Sequence, residues 1–367
     1  MGQTVLTGLE GVEGYLRAGG AAHILLVCGP SIRFLELDGF FRELPGRTGI
    51  RVTRFGGFAP NPGYGSVAEG VRLFQRAGCD FVAAVGGGSA MDVAKCIRLY
   101  GRADPAGDFL AREPEPGGTG LLAVPTTAGS GSEATRFAVI YRDGEKRSIE
   151  HRACLPDAVL LDPRVLRPLP EYQRKCTMLD ALCHALESIW CVNATGESRA
   201  YAQGAIRTLL SAQGPYLRNE EEGNAAMQRA AYAAGQAINL TKTTAGHAMA
   251  YGLTTRYGLA HGHAAALCVD ALWPYMLEHT QRCTAPGGPA RLRAAFAEIA
   301  AAMGCGTAEE AAGCFHGLLD GLSLERPAAC EADIPALCGG VNAERLQNNP
   351  VPLGREALER LYRRILL

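Results

Sequence analysis

Short apolar runs alternate with amphipathic stretches over roughly the first 160 residues. The stretch from Ser66 to Ala77 has the spacing of an amphipathic helix, and Gly78 follows it where a left-handed cap is favoured. Runs typical of strands are HILLVC at 23–28, IRVTRF at 50–55, DFVAAV at 80–85, and the segments Leu121–Val124 and Ala158–Leu161. This alternation predicts a parallel sheet covered by helices.

The pattern changes at Asp162-Pro163 and at Pro168-Leu169-Pro170. Beyond this point the chain has few strand signals and many helical ones, such as SRAYAQGAIRTLLSAQ and RLRAAFAEIAAAM. We therefore predict two domains, an α/β unit over residues 1–167 and an all-α unit over residues 168–367.

Composition narrows the classes of function. The 367-residue chain has a formal net charge of −1, which gives no reason to expect nucleic acid or an anionic membrane as a partner. Its 13 cysteines are odd in number and lack CxxC pairs, which is typical of reduced thiols in a cytoplasmic protein. We find no signal peptide pattern at the N-terminus and no run long and apolar enough to span a bilayer.

Two loops rich in glycine and hydroxyl residues each follow a predicted strand. Gly86-Gly87-Gly88-Ser89 lies between the strand DFVAAV and the helical stretch AMDVAKCIRLY, an arrangement that presents backbone N–H groups and a helix dipole to an anion. It matches neither GxGxxG nor a P-loop. The second loop, PTTAGSGSE at 125–133, suits phosphate, ribose or amide groups. Together they predict a nucleotide site rather than two surface turns.

A metal site is predicted in the helical domain. Asp180 and His184 are four residues apart in the apolar helical stretch KCTMLDALCHALESIW and so share one helix face. His247, with either His261 or His263, follows in a second apolar stretch. One carboxylate and three imidazoles suit Fe²⁺ or Zn²⁺. The alternative for Asp180 and His184 alone is a hydrogen-bonded pair in the core.

The motifs GGGSAMDVAK, PTTAGSGSE, DALCHALE and GHAMAY…AHG, in this order, resemble the iron-containing (group III) alcohol dehydrogenases over nearly the whole chain. The resemblance implies a Rossmann-like parallel sheet in an N-terminal α/β domain, an all-α C-terminal domain as in dehydroquinate synthase, a metal in the cleft, and a homodimer. The implied ligands are Asp180, His184, His247 and His261, because the last ligand in the family precedes a glycine. His263 is then an additional residue.

The resemblance also implies the cofactor contacts. They are Gly29, Ser31, Asn61, Gly86, Gly87, Gly88, Ser89, Asp92, Thr126, Thr127, Ser130 and Lys146. Many members of the family have an aspartate for the adenosine ribose where this chain has Gly29. Its absence removes repulsion against a 2′-phosphate, which Ser31 and Arg33 can bind, and so favours NADPH, with NADH as the alternative.

Two further departures concern the substrate. Tyr251 stands where many members have a proton-relaying histidine, and NLTKTT at 239–244 replaces small or apolar residues. Lys242, Thr243 and Thr244, with Arg136 and His151, are predicted to bind an anionic group. We assign catalytic roles to Lys242 and Tyr251. This pattern resembles the subgroup that reduces phosphonoacetaldehyde to 2-hydroxyethylphosphonate.

The expected reaction is hydride transfer from the nicotinamide to a small anionic aldehyde whose carbonyl oxygen is polarised by the metal. The first alternative is a general primary-alcohol or diol dehydrogenase, in which Lys242 is a surface lysine. A lyase like dehydroquinate synthase and a non-catalytic nucleotide-binding protein are less favoured, because the two loop motifs and the ligand set are intact.

Overall fold

The computed structural model describes residues 2–104, 107–111 and 113–367. These residues form two compact units, the first ending at Leu169 and the second beginning at Pro170. The boundary predicted from the sequence pattern, between residues 167 and 168, lies two residues earlier.

The first unit is an α/β domain built on a parallel sheet. Its helices and strands are β1 (Thr4–Leu6), α1 (Gly8–Ala18), β2 (His23–Cys28), α2 (Glu36–Thr48), β3 (Arg51–Phe55), α3 (Tyr64–Ala77), β4 (Phe81–Gly86), α4 (Gly88–Tyr100), β5 (Gly120–Pro125), β6 (Phe137–Arg142), β7 (Glu145–Glu150) and β8 (Ala158–Leu160). Six strands form the sheet in the order β1-β8-β5-β4-β2-β3, all parallel, and β6 and β7 form a separate antiparallel hairpin. This confirms the predicted parallel architecture.

The sequences of the central strands explain their position. Every residue of β2 and β4 is buried, and so is all of β5 except Gly120. Such continuous apolar runs are expected where helices cover both faces of a sheet. The sequence pattern did not predict β1, which pairs with β8 at the edge of the sheet. It has only three residues, too few for a periodicity to register.

Strand order decides where the predicted cofactor residues meet. β4 lies between β2 and β5, so the carboxyl ends of these three parallel strands lie side by side. Cys28 is opposite Val85, and Gly86 is opposite Pro125. The segments that follow the three strands therefore start at one edge of the sheet, where open α/β sheets bind their ligands.

The second unit is entirely helical among its described residues. Its α-helices are α5 (Glu171–Trp190), α6 (Gly196–Leu217), α7 (Glu221–Thr241), α8 (Ala245–Tyr257), α9 (His261–Glu278), α10 (Gly288–Met303), α11 (Ala308–Gly321), α12 (Ile334–Gly339), α13 (Ala343–Leu346) and α14 (Arg355–Leu366). α5 is buried along most of its length and α9 over most of its residues. Trp190 and Trp273, one from each helix, meet edge to face with ring centroids 5.6 Å apart.

All 13 cysteines are free, and nine of them are buried. None of the described helices combines the length and the hydropathy that a bilayer crossing requires.

Candidate functional site

The first glycine loop forms an open cradle at the start of α4. Gly87 caps the helix in extended conformation and Gly88 is its first residue. A Cβ added to Gly87 would lie 3.3 Å from Thr127, and one on Gly88 would lie 3.5 Å from Ser130. The two predicted loops are therefore neighbours. Because Gly87 and Gly88 have no side chains, the space in front of the helix N-terminus is open, as an anion requires.

Buried polar contacts join the second loop to the first and to α4. The Thr126 amide donates to Gly86 O at 2.9 Å. Lys95, on α4, is fully buried, and its Nζ donates to Ser132 Oγ (2.9 Å), Thr135 Oγ1 (3.1 Å) and the Phe137 carbonyl (2.6 Å). Burial lowers the pKa of this lysine, against the attraction of Asp92.

Asp92, a predicted cofactor contact, belongs to the same network. It accepts a hydrogen bond from Ser132 Oγ at 3.3 Å. Loss of hydration raises the pKa of Asp92 to about 6, although Lys95 acts in the opposite direction. In the structure this carboxyl supports the loop, and sequence reasoning had missed Lys95 because a lysine in a helix is usually exposed.

The structure also brings Asn61 and Lys146 to the first loop. Asn61 has φ of +57°, and its backbone N–H donates a hydrogen bond to Ser89 Oγ at 3.4 Å. The next residue, Pro62, accepts from the Tyr141 amide at 2.9 Å, and Tyr141 is opposite Lys146 in the β6–β7 hairpin. Gly29 and Ser31 directly follow β2 at the same edge, where Ser31 and Arg33 are exposed.

The metal-type cluster lies in the second unit. Asp180, His247 and His261 each offer a ligand atom, and these atoms all lie within 4.8 Å of one another. His184, the fourth predicted ligand, is not in this tight group. Its ring stacks on His247 with centroids 4.3 Å apart. One turn along α5 from Asp180, it therefore lies against the cluster, and its assignment as a ligand stays a prediction.

Glu187 supports the cluster, and sequence reasoning missed it. It is fully buried, and Oε1 accepts from the His247 ring Nδ1 (3.0 Å) and from the His247 amide (2.9 Å). This fixes the ring so that Nε2 faces Asp180, 3.3 Å away. The signal in the sequence was its position, three residues after His184 on an otherwise apolar helix face.

Electrostatics favour a cation here. Burial alone would raise the pKa of Asp180, but the neighbouring histidines, His184 first, hold it well below its ordinary value. Burial opposes charge on His247, and Glu187 together with Asp180 outweighs it and raises that pKa to about 9. The raised pKa of His247 shows that the buried carboxylates stabilise a positive charge here, either a proton on its ring or a metal ion that replaces the proton. Once that proton is replaced, the carboxylate and the imidazole nitrogens form a donor set that fits Fe²⁺ or Zn²⁺.

Two positions next to the histidines require glycine because other chain segments pass very close to them. A Cβ on Gly262 would stand 2.0 Å from Cys176 O and 2.6 Å from Asp180 Cβ. Only glycine therefore allows α9 to begin so close to α5 and bring His261 to Asp180. A Cβ on Gly246 would stand 2.2 Å from Glu187 Oε1, so the glycine before His247 makes room for the supporting carboxylate.

His261 and His263 lie beside different aromatic residues, and His261 is the one in the group with Asp180 and His247. Tyr251 stacks on His261 with ring centroids 5.0 Å apart and an interplanar angle of 25°. His263 is buried, and its Nδ1 lies 3.3 Å from the Tyr172 hydroxyl. His261 is thus the residue that the structure brings into the group with Asp180 and His247.

The predicted substrate residues after α7 differ in exposure. Lys242 is exposed and has φ of +67° and ψ of 177°. Thr243 offers its carbonyl to Asn348 Nδ2 at 3.1 Å. Thr244 is fully buried, donates to Glu187 Oε2 at 2.9 Å and accepts from Trp190 Nε1 at 3.0 Å. Its predicted substrate contact is therefore corrected: the hydroxyl holds Glu187 in place.

Arg136 and His151, also predicted to bind substrate, lie in the first unit. Arg136 forms an ion pair with Glu150 at 2.9 Å. The His151 ring Nδ1 accepts from the Ala153 amide at 2.9 Å and so caps a short turn. Both side chains have local structural roles, and their substrate role stays a prediction.

Both units of the chain are similar to known proteins. Residues 7–163 match the family model for iron-containing alcohol dehydrogenase, and residues 175–366 match that for the C-terminal part of Fe-containing alcohol dehydrogenases. It is 33% identical over 313 residues to a phosphonoacetaldehyde reductase of Streptomyces viridochromogenes, covering 81% of this chain and 78% of the relative. It is 32% identical over 265 residues to a 1,3-propanediol dehydrogenase of Klebsiella pneumoniae, covering 70% and 65%.

Among solved structures, a sulfoacetaldehyde reductase of Bifidobacterium kashiwanohense in complex with NAD⁺ superposes with a TM-score of 0.86 at 25% identity, covering 99% of this chain and 96% of that one. The two family models match segments in both units, and the fold agrees with that of the solved structure. The chain belongs to the iron-containing alcohol dehydrogenase family and is an NAD(P)-dependent oxidoreductase.

Proposed function

We propose that the enzyme reduces a small anionic aldehyde to a primary alcohol, with phosphonoacetaldehyde as the substrate and 2-hydroxyethylphosphonate as the product. The observation that carries this proposal is the backbone of Lys242. A side-chain-bearing residue with φ of +67° and ψ of 177° occupies a region that is almost exclusive to glycine, at a cost of about 1–3 kcal/mol. Such strain persists where surrounding structure imposes it, and here it presents a cation five residues before His247.

The chain's own residues prepare the reaction. When bound, the metal supplies Lewis acidity to a carbonyl oxygen and the reduced nicotinamide supplies the hydride. Glu187 holds His247 in the tautomer that turns Nε2 to Asp180, and Thr244 holds Glu187. The glycine cradle at α4 orients the pyrophosphate. Lys242 binds the anionic end of the aldehyde. Tyr251 lies beside His261, where its hydroxyl can hydrogen-bond to the alcohol product.

For the nucleotide we propose NADPH. Gly29 directly follows β2 at the cofactor edge, and it offers no carboxylate to repel a 2′-phosphate. Ser31 and Arg33 are exposed next to it. NADH is the alternative, and it is favoured by the NAD⁺ complex of the sulfoacetaldehyde reductase.

A general primary-alcohol or diol dehydrogenase is the second candidate function. The similarity to 1,3-propanediol dehydrogenase supports it. In that case the charge of Lys242 would not affect which aldehyde is reduced.

The test follows nicotinamide absorbance with Fe²⁺-loaded enzyme and either NADPH or NADH. It compares phosphonoacetaldehyde with butanal for the unmodified enzyme, for Lys242→Ala, and for Arg293→Ala as an exposed control on α10. We expect the unmodified enzyme and the control to prefer the phosphonate, and Lys242→Ala to lose about 1.5–3 kcal/mol of that preference, the size of a charged hydrogen bond. Equal rates on both aldehydes in the unmodified enzyme would refute the proposed substrate.

A further inference from the structure

Arg345, on the short helix α13, lies near the metal-type cluster, and no motif pointed to it. It is half-buried, its Nη1 donates to the Tyr251 hydroxyl at 2.9 Å, and its guanidinium carbon lies 5.2 Å from the centroid of the Tyr251 ring. One aromatic ring thus both hydrogen-bonds and packs against the guanidinium. This fixes the planar donor fork, the geometry in which arginine recognises oxyanions.

Tyr251 connects this cation to the cluster. The face of its ring stacks on His261, with centroids 5.0 Å apart. His261 in turn belongs to the group with Asp180 and His247. The side chain of Tyr251 therefore contacts both Arg345 and a member of the cluster. In an aldehyde that carries its anionic group one methylene from the carbonyl, the two ends are likewise close together.

A second contact connects the Arg345 segment to the loop that carries Lys242. Asn348 follows Arg345 by three residues, and its Nδ2 donates to the carbonyl of Thr243 at 3.1 Å. The loop with the strained Lys242 backbone and the segment with Arg345 are thus held together. The two cationic residues thus belong to segments that contact each other.

We propose that Arg345 is the specificity-determining residue that binds the anionic end of the substrate, with Tyr251 as its positioning residue and Lys242 as a second cation. This inference rests on the proposed function and deepens it, because it names the residue that recognises the anionic end of the substrate. Two cations match a phosphonate dianion better than a sulfonate monoanion, and both better than a neutral aldehyde. The predicted order of preference is phosphonoacetaldehyde, then sulfoacetaldehyde, then butanal.

Tyr251 has a defined part in this arrangement. Its hydroxyl accepts from Arg345. Phenylalanine at this position would keep the ring that stacks on His261 and lose the hydroxyl, and with it the hydrogen bond from Arg345. Tyr251→Phe therefore tests orientation of the guanidinium separately from its presence.

The experiment uses Fe²⁺-loaded enzyme and the variants Arg345→Met, Arg345→Lys, Tyr251→Phe and, as an exposed control, Arg293→Met. Steady-state kinetics are measured for the three aldehydes. Calorimetry measures the dissociation constant of ethylphosphonate, an inert dianion, so that binding is observed without turnover. Iron content and nucleotide affinity report whether each variant keeps its fold.

We expect Arg345→Met to raise KM for phosphonoacetaldehyde and the ethylphosphonate dissociation constant by roughly 10- to 100-fold, the loss of one charged contact. In Arg345→Met the KM for butanal stays within about twofold, and Arg345→Lys recovers part of the loss in affinity for the two anions. Tyr251→Phe shows a smaller loss of roughly 3- to 10-fold, because it removes a hydrogen bond of a strength between that of a neutral and a charged contact. The control is unchanged.

Two results would overturn the inference, and they are distinguishable. If the unmodified enzyme prefers phosphonoacetaldehyde and both Arg345→Met and Tyr251→Phe keep that preference and the ethylphosphonate affinity, Arg345 is not the anchor and the proposed function stands. If the unmodified enzyme treats the three aldehydes alike, the proposed function fails and this inference fails with it. If Arg345→Met loses its iron, the aldehyde preference and the ethylphosphonate affinity of Tyr251→Phe decide whether Arg345 is the anchor.

Discussion

The two units build their binding surfaces from different parts of the chain. In the first unit the glycine loop offers backbone N–H groups at the start of α4, and the neighbouring second loop is supported by the buried Lys95. In the second unit Asp180, His247 and His261 offer side-chain atoms, and their support is the buried anion Glu187. Each supporting residue carries the charge opposite to that of the expected ligand, pyrophosphate in one case and a metal cation in the other.

The comparison shows how a buried charge can be useful in spite of its desolvation penalty. Lys95 and Glu187 each satisfy several hydrogen-bond partners, so neither is an isolated charge. Each also adds a long-range field of the sign that its ligand prefers. Predictions that remove ligands or supports in one unit, and leave the other unchanged, test this comparison.

Removing a ligand should have the largest effect. Asp180→Ala and His261→Ala each take one donor from a group of three whose atoms lie within 4.8 Å. We expect both variants to lose bound iron and activity together, while nucleotide affinity, which belongs to the first unit, is retained. Metal analysis and nucleotide titration measure this. Full activity in either variant would contradict the ligand assignment.

Removing the charge of Glu187 should have the next largest effect. In Glu187→Gln the side-chain carbonyl oxygen can still accept hydrogen bonds from His247. The side-chain NH₂ group, however, then faces the backbone N–H of Thr244, which is also a donor. We expect iron affinity to fall by roughly 10- to 100-fold, as for other supports of metal-bound histidines.

The matched control for Glu187→Gln is Glu278→Gln, an exposed position on α9 that should behave as the unmodified enzyme. Competition with a chelator gives the affinities. An iron affinity of Glu187→Gln equal to that of the control would show that His247 is oriented without the carboxylate.

Lys95→Met tests the support in the first unit and should have a smaller effect. Methionine keeps the length of the side chain, but the Phe137 carbonyl and the hydroxyls of Ser132 and Thr135 lose their shared donor. We expect the nucleotide dissociation constant to rise about 10-fold, the loss of roughly one hydrogen bond to a charged group. Iron content stays unchanged.

The control for Lys95→Met is Arg76→Met, an exposed change on α3. Fluorescence titration with the reduced nucleotide provides the measurement. Unchanged nucleotide affinity in Lys95→Met would mean that the second loop keeps its position without the buried cation.

The fold was predictable where the hydrophobic pattern is strong. β2 and β4 are continuous apolar runs, and α3 has a clear apolar face followed by Gly78 in left-handed conformation. The two glycine loops were recognisable because they directly follow such strands. The edge strand β1 was not predictable, because it has three residues and its place depends on a partner, β8, that is distant in sequence.

The supports of the site were not predictable for a different reason. A charged residue in a helix is exposed far more often than buried, so Lys95 and Arg345 gave no signal, and the position of Glu187 on an apolar helix face was the one sign of its role. Only the folded chain shows that Lys95 meets Ser132 and that Arg345 meets Tyr251. Conversely, Thr244 seemed a substrate contact by its position in the sequence, and the structure shows its hydroxyl buried against Glu187.

Glu133, at the end of the second loop, sharpens the comparison through pH and should have the smallest effect on ligand binding. Burial raises its pKa to about 7 from an ordinary 4.5, against the lowering influence of its own backbone and of Lys95. Between these two values the folded protein holds a proton that the unfolded chain releases. The contribution of this group to stability is therefore fully present below pH 4.5 and is lost as the pH rises to 7.

Glu133→Gln removes this titration and keeps the size of the side chain. We expect the variant to be more stable than the unmodified enzyme by about 2–3 kcal/mol at pH 8, and by less than about 1 kcal/mol at pH 5, where the buried carboxyl is still neutral. Thermal unfolding of both proteins at the two pH values measures this, and Glu278→Gln is the exposed control. Equal stabilisation at both pH values would instead mean that glutamine gains a new hydrogen bond. Destabilisation at pH 8 would mean that the ionised carboxylate is bound by Lys95 strongly enough to overcome its burial.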